Sequence, residues 1–255
     1  MIRVALAGAA GRMGSACREA IGAAHDLELV ACIDRSTIEG AAPTFDTVAE
    51  ALAATSPDVL VDFTAPTAVE ANIRAALSLG IDCVVGTTGL SAAATDALAS
   101  EIGAGTCLFV APNFAIGAVL LMQLSAQIAR FMPDAEIIEL HHNQKKDAPS
   151  GTAIRTAELI AAARPQAQGA PGAESEIAGC AGARGARVND IPVHSVRLPG
   201  LVAHQEVIFG GPGQTLTLRH DSMDRASFMP GVLLACREVG SREGLIVGLE
   251  NLMDT

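Results

Sequence analysis

The stretch that decides the fold is "MIRVALAGAAGRMG", residues 1–14. An apolar run at 2–8 reads as a buried strand, and glycines follow it at once, with no cleavage region of the kind a secretory leader carries. Gly8, Gly11 and Gly14 then recur at every third position. Glycines between a strand and a helix let the backbone turn tightly. They also let a pyrophosphate approach the helix N-terminus, where unpaired N–H groups and the helix dipole favour negative charge. The spacing is a relaxed form of the dinucleotide fingerprint, because Ala10 stands where the strict form has its second glycine.

Working outward, short apolar runs alternate with alanine-rich amphipathic stretches. Strands are expected at 2–8, 27–34, 58–64, 81–88 and 106–112, and helices near 12–23, 46–54, 67–79 and 91–103. Strand–helix–strand repetition at this spacing predicts a parallel sheet covered on both faces, since parallel strands need crossover connections. The reading is α/β, with an N-terminal doubly wound Rossmann domain. The second strand ends in Asp34, twenty residues past Gly14, where an acid can accept hydrogen bonds from an adenosine ribose. Asp34 repels a 2′-phosphate while the adjacent Arg35 attracts one, so NADH is favoured and NADPH remains open. "GTTG" (86–89) and "APNF" (111–114) fall at the carboxyl ends of predicted strands, the edge where open α/β sheets bind ligands.

After residue 113 the pattern changes. A long helix at 115–131 leads to a strand at 135–142, and a second helix follows Pro149 and Ser150. A Gly/Ala/Pro-rich run at 164–189 reads as a long loop. Three closely spaced strands follow at 191–198, 203–210 and 214–220, suggesting an antiparallel sheet face. The stretch "DRASFMPGVLLACREV" (224–239) reads as a helix interrupted by Pro-Gly that returns to the first domain. The expected division is a dinucleotide domain, 1–113 completed by 222–255, and an α+β domain, 114–221, with a mixed or antiparallel sheet.

The chain carries 28 acidic against 17 basic side chains, which disfavours nucleic acid and anionic membranes as partners. Six scattered cysteines without a CxxC pair suit reduced, buried thiols in a cytoplasm, and no His/Cys/Asp/Glu spacing suggests a metal site. Against this acidic background, "HHNQKKDAPSGTAIR" (141–155) gathers cations directly before a helix. Ser150 is a plausible N-cap, and Gly151 and Thr152 would present N–H groups beside His141, His142 and Lys145. That combination is an anion site suited to a substrate carboxylate. Lys146 and Arg155 read as solvated, and His194, His204 and His220, with no clustered partners in the sequence, read as structural.

These motifs together resemble one family, the 4-hydroxy-tetrahydrodipicolinate (dihydrodipicolinate) reductases. "GAAGRMG", "DFTAP", "VVGTTGL", "APNFAIG", "EIIELHHNQKKDAPSGTA" and "VHSVRLPGLVAHQEVIFG" follow the family's order over essentially the whole chain. The resemblance implies reduction of a cyclic unsaturated imine dicarboxylate by NADH or NADPH in lysine and diaminopimelate biosynthesis, by a cytoplasmic homotetramer. It implies cofactor contacts at Gly8, Ala9, Ala10, Gly11, Arg12, Met13, Asp34, Arg35, Gly86, Thr87, Thr88, Ala111, Pro112, Asn113 and Phe114. It further implies His141 as proton donor or acceptor, Lys145 as a second donor, and His142, Gly151 and Thr152 as contacts to substrate carboxylate. Ala65 departs from the pattern, since the family often has Arg or Lys after "DFT"; this weakens the case for NADPH. A different nicotinamide-dependent dehydrogenase would share the glycine turn, but the His-His-Lys block and the Ser-Gly-Thr helix start speak against it. A nucleotide-sensing module would need the glycine turn but has no use for paired protonatable groups beside a second anion site.

Overall fold

The structure, a computed structural model, describes residues 1–36, 38, 40, 42–165 and 182–253. It divides into two units, Met1–Ile116 with Arg225–Thr255, and Gly117–Asp224.

The first unit is built on a seven-stranded sheet whose pairs are all parallel. Its strands are β1 (Ile2–Ala7), β2 (Leu27–Ile33), β3 (Thr44–Phe45), β4 (Val59–Asp62), β5 (Asp82–Val85), β6 (Cys107–Val110) and β12 (Gly244–Val247), in the order β12-β6-β5-β4-β1-β2-β3. The helices between them are α1 (Arg12–Ala23), α2 (Val48–Thr55), α3 (Val69–Leu77) and α4 (Ala92–Ala99). The central strands are buried on both faces, which is why they read as unbroken apolar runs rather than as alternations. Strand order reverses on either side of β1, and the carboxyl ends of β1 and β4 at such a switch point form a crevice in which ligands of doubly wound sheets bind.

The second unit carries a five-stranded sheet ordered β11-β10-β7-β9-β8. Its members are β7 (Asp134–His141), β8 (Ala186–Val188), β9 (Ile191–Arg197), β10 (Ala203–Gly211) and β11 (Gln214–Ser222), with helices α5 (Ile116–Ala129) and α6 (Gly151–Ala163). Leu121 of α5 and Ala153, Ala157 and Ile160 of α6 join Ile137, Val193 and Val207 in one core. The sheet is mixed, which corrects the expected antiparallel run of the three late strands. Of those three only β10 and β11 pair with each other, as an antiparallel hairpin; β9 pairs parallel to β7 and antiparallel to β8, and β10 pairs antiparallel to the other side of β7. The Leu198 N–H donates to the His141 carbonyl as the chain leaves β9, so the β9–β10 connection crosses the end of β7. β7 is the middle strand, and Ile137 and Glu139 on its inner face are fully buried.

Three further differences from the sequence reading have local causes. β3 and β8, of two and three residues, are too short to show a period. The strand β12 lies beyond the stretch read as terminal. The Pro-Gly pair does not interrupt a helix: a 3-10 turn at Arg225–Phe228 precedes α7 (Met229–Glu238), and Pro230 sits in the first turn of α7, where its missing N–H is harmless. The run at 166–181, including Cys180, lies outside the described residues.

Candidate functional site

The glycine turn packs as closely as its sequence suggests. Gly8 has φ of 77°, and a Cβ there would lie 2.4 Å from the Phe63 carbonyl oxygen. A Cβ on Gly14 would lie 2.1 Å from the Gly8 oxygen, so no other residue lets α1 begin this close to β1. Gly11 is the N-cap of α1, with no side-chain cap and no acid in the first turn. In α2, α4 and α6, by contrast, Thr47, Ser91 and Ser150 cap the first turn. An uncapped helix start reached by a glycine cradle fits a dinucleotide pyrophosphate.

The strand-end loops interlock around this turn. Gly8 and Ala9 donate to the Ile33 carbonyl, Phe63 to Ala7, Gly86 to Asp62, and Ala111 to Val85. Asp34, at the end of β2, accepts from the Ala10 N–H at 3.0 Å and from Ser36 at 3.1 Å. The carboxylate therefore ties the glycine turn to the neighbouring strand and keeps lone pairs for a further donor. Arg12, Arg35, Thr88 and Pro112 are exposed, Met13 is half-buried, and Ala9, Ala111 and Phe114 are buried.

Two residues that the sequence reading passed over organise this edge. Asp62, fully buried, accepts from the Thr64 hydroxyl and Thr87 hydroxyl at 2.7 Å each, from the Thr64 N–H at 2.9 Å and from Asn72 at 2.8 Å. The Thr87 proton is thus committed, which leaves its oxygen as an acceptor. Phe63 stacks edge-on to Phe114 with centroids 5.9 Å apart, and a Cβ on Gly86 would lie 2.2 Å from the Phe63 ring. An acid closing an otherwise apolar strand in "VLVDF" was the readable signal for Asp62.

In the second unit, the period of β7 places Ala135, Ile137, Glu139 and His141 on one face. Glu139 is fully buried. Arg197 grips it with two parallel hydrogen bonds, Nη1 to Oε2 at 2.8 Å and Nη2 to Oε1 at 2.7 Å. His141 Nδ1 bonds Oε2, and the Ser150 N–H donates to Oε1 at 3.2 Å. Burial alone would raise the Glu139 carboxyl, but hydrogen bonds from His141, Arg197 and Ser195 outweigh it and bring the group down to about 2. Arg197 Nη2 also donates to the Asp147 carbonyl at 2.8 Å, and the Asp147 carboxylate holds Lys145 Nζ at 2.7 Å.

One chain of hydrogen bonds therefore links His141, the Lys145 loop and the start of α6. Ser150 caps Ala153, and a Cβ at Gly151 would meet nothing within 4 Å, so this helix end faces open space. His142 is exposed and Thr152 half-buried. Glu139 and Arg197 were missed, though a glutamate at a core-facing position of an alternating strand was visible in "AEIIELH".

Two of the late histidines, His194 and His204, pair with acids, which the sequence did not show. His194 Nε2 lies 2.9 Å from Glu136, and His204 Nδ1 lies 2.7 Å from Asp221. His220 packs against Gly117, and burial lowers its pKa. Arg155 pairs with Glu158. Cys17, Cys32, Cys83, Cys107 and Cys236 are free and buried, and burial pushes each of these thiols up, Cys107 to about 11 and Cys236 to about 12. Among the described residues no group of three or more His, Cys, Asp or Glu is placed to hold a metal, and no helix is long and apolar enough to cross a membrane.

A doubly wound domain with this glycine turn, joined to an α+β domain with a cationic helix start, defines a nicotinamide-nucleotide-dependent reductase of small molecules. Two family models match the chain: "Dihydrodipicolinate reductase, N-terminus" over residues 2–114 and "Dihydrodipicolinate reductase, C-terminus" over residues 117–253. The 4-hydroxy-tetrahydrodipicolinate reductase of Nocardia farcinica is 50% identical over 255 residues, and that of Streptococcus gordonii 51% over 260, each comparison covering 99% of both chains. The dipicolinate-bound dihydrodipicolinate reductase of Paenisporosarcina sp. TG-14 superposes with a TM-score of 0.89 at 41% identity, covering 99% of this chain and 100% of that one. The chain belongs to the dihydrodipicolinate reductase family. Its reaction is the NADH- or NADPH-dependent reduction of 4-hydroxy-tetrahydrodipicolinate to tetrahydrodipicolinate, a step of lysine and diaminopimelate biosynthesis.

Proposed function

We propose that the substrate is held as a dicarboxylate at the start of α6, with His142 and the Gly151 and Thr152 N–H groups receiving a carboxylate. The observation that carries this reading is the hydrogen-bond chain from His141 through Glu139 and Arg197 to Asp147 and Lys145, which reaches the helix end through Ser150. A negative ligand there replaces Asp147 as the partner of Lys145 and meets the positive end of the helix.

The cofactor contacts are the Gly8–Met13 turn, Asp34, Arg35, Gly86–Thr88 and Ala111–Phe114, supported by the uncapped α1 and the interlocked strand ends. The reduced nicotinamide, when bound, supplies the hydride. Lys145, as an ammonium, donates the proton that completes the reduction, and His141 serves as donor or acceptor beside it. Lys145, and His141 when its ring is protonated, also stabilise charge that develops on the substrate.

Ile138, Leu140, Val196 and Ile208 are half-exposed on the face of the second sheet opposite its core, which supports assembly through that face into a homotetramer. Buried unpaired thiols support a reducing, cytoplasmic location. The carboxylate subsite is tested by inhibition with pyridine-2,6-dicarboxylate. Competition with substrate in the wild type, weakened roughly tenfold in His142→Ala and Thr152→Pro as about 1.4 kcal/mol of anion binding is lost, is the expected result. Unchanged inhibition in both variants refutes the assignment.

A further inference from the structure

We infer that Glu139 is a positioning residue: it holds the Nδ1 proton of His141, so that Nε2 is the ring nitrogen left to exchange a proton with the substrate. The inference deepens the acid–base role proposed above for His141 and rests on it. Both carboxylate oxygens of Glu139 are engaged, Oε1 by Arg197 Nη2 and the Ser150 N–H, and Oε2 by Arg197 Nη1 and His141 Nδ1. With the carboxyl held down to about 2, it is ionised at neutral pH and only accepts. The Nδ1 atom beside it must therefore carry hydrogen, whether the ring is neutral or protonated, and the neutral ring then has a bare Nε2.

Among the described residues, the groups around Glu139 do not compete for this role. Arg197 and Ser195 reach Glu139 from β9, Gln205 stands opposite it on β10, and α6 contributes only the Ser150 N–H. Lys145 is engaged with Asp147, whose carbonyl Arg197 holds. The same guanidinium thus fixes the carboxylate that orients the imidazole and the loop that carries the ammonium. A carboxylate behind a histidine that selects its tautomer is a recurring device in proton-transfer and metal sites.

Replacement of Glu139 by glutamine gives a sharp expectation. The amide has one carbonyl. The Oε1 position faces two donors that cannot change, Arg197 Nη2 and the Ser150 N–H, whereas the Oε2 position faces only one, Arg197 Nη1, whose bond is lost, beside an imidazole that can shift its proton. The carbonyl therefore takes the Oε1 position, the NH2 group faces His141, and Nδ1 must become an acceptor.

The test is 15N spectroscopy of histidine-labelled protein, with the His141 signals assigned by their loss in His141→Gln. We expect the Nδ1–H form in the wild type, the Nε2–H form in Glu139→Gln, and return of Nδ1–H in Glu139→Asp. We also expect kcat to fall roughly 10- to 100-fold in Glu139→Gln, more than KM for the substrate changes, with partial recovery in Glu139→Asp. An Nε2–H ring in the wild type overturns the inference, and this measurement stands even if no variant folds. A normal kcat in a Glu139→Gln protein whose tautomer has switched overturns it as well. Near-normal turnover in His141→Gln defeats the acid–base reading itself, and the two failures are thereby told apart.

Discussion

Lys145 and Asp34 show how much one side chain is asked to do. Lys145→Ala removes the proposed proton donor and leaves the glycine turn intact, so kcat should fall by about 100-fold or more while KM for NADH stays within about twofold. Steady-state kinetics with each substrate varied in turn checks this, and normal turnover would refute the role. Asp34→Ala loses both the proposed ribose acceptor and the Ala10 contact. It should raise KM for NADH by roughly tenfold and spare NADPH, whose 2′-phosphate is repelled by the wild-type carboxylate; a selective loss of NADPH use would contradict the assignment. Glu139 carries a pH signature. Its folded pKa of about 2 lies below the ordinary 4.5, so its contribution to stability is complete above about 4.5 and is lost as pH falls from there towards 2. Urea denaturation across that window should show a steep loss in the wild type and a shallower one in Glu139→Gln.

At the scale of elements, the start of α1 admits little change. Gly14→Ala brings a methyl group 2.1 Å from the Gly8 oxygen and 2.7 Å from the Ala9 Cα, both backbone atoms, so the helix must move. A loss of about 2–3 kcal/mol in unfolding free energy, read by denaturant titration, and weaker NADH binding in the same protein are expected. Elements of this kind were also the most legible. β1, α1 and β2 appear within a residue of the ranges read from the sequence, because a buried parallel strand and an amphipathic helix carry strong periods. What the sequence concealed was pairing and partnership. Nothing in "VHSVRL" says that its arginine reaches across to a glutamate fifty-eight positions earlier, or that β9 runs alongside β7 rather than β10. Such facts arise from register, which tertiary packing sets. The carboxylates that organise both sites, Asp62 and Glu139, went unread for the same reason, since burial is what turns an ordinary acid into a hub.

For the whole molecule, the half-exposed apolar residues on the outer face of the second sheet lead to an expectation about assembly. Sedimentation equilibrium should report a tetramer, and Ile138→Arg should shift it to smaller species without unfolding the protein, as judged by circular dichroism. A monomeric wild type would remove the proposal. Function was legible at this scale because the cations of residues 141–155 stand out against an excess of acid elsewhere in the chain.

Placement of β12 beside β6 has a consequence for biogenesis. Gly244 to Val247 pair with Cys107 to Val110, and the entire second unit is encoded between them. On the ribosome, β6 emerges long before its neighbour, so the nascent chain must carry an open strand edge while the intervening unit is translated. Chaperone demand should therefore concentrate on that interval, and truncations that end just short of Gly244 should sediment as aggregates even though every residue of the proposed cofactor and substrate regions has been made.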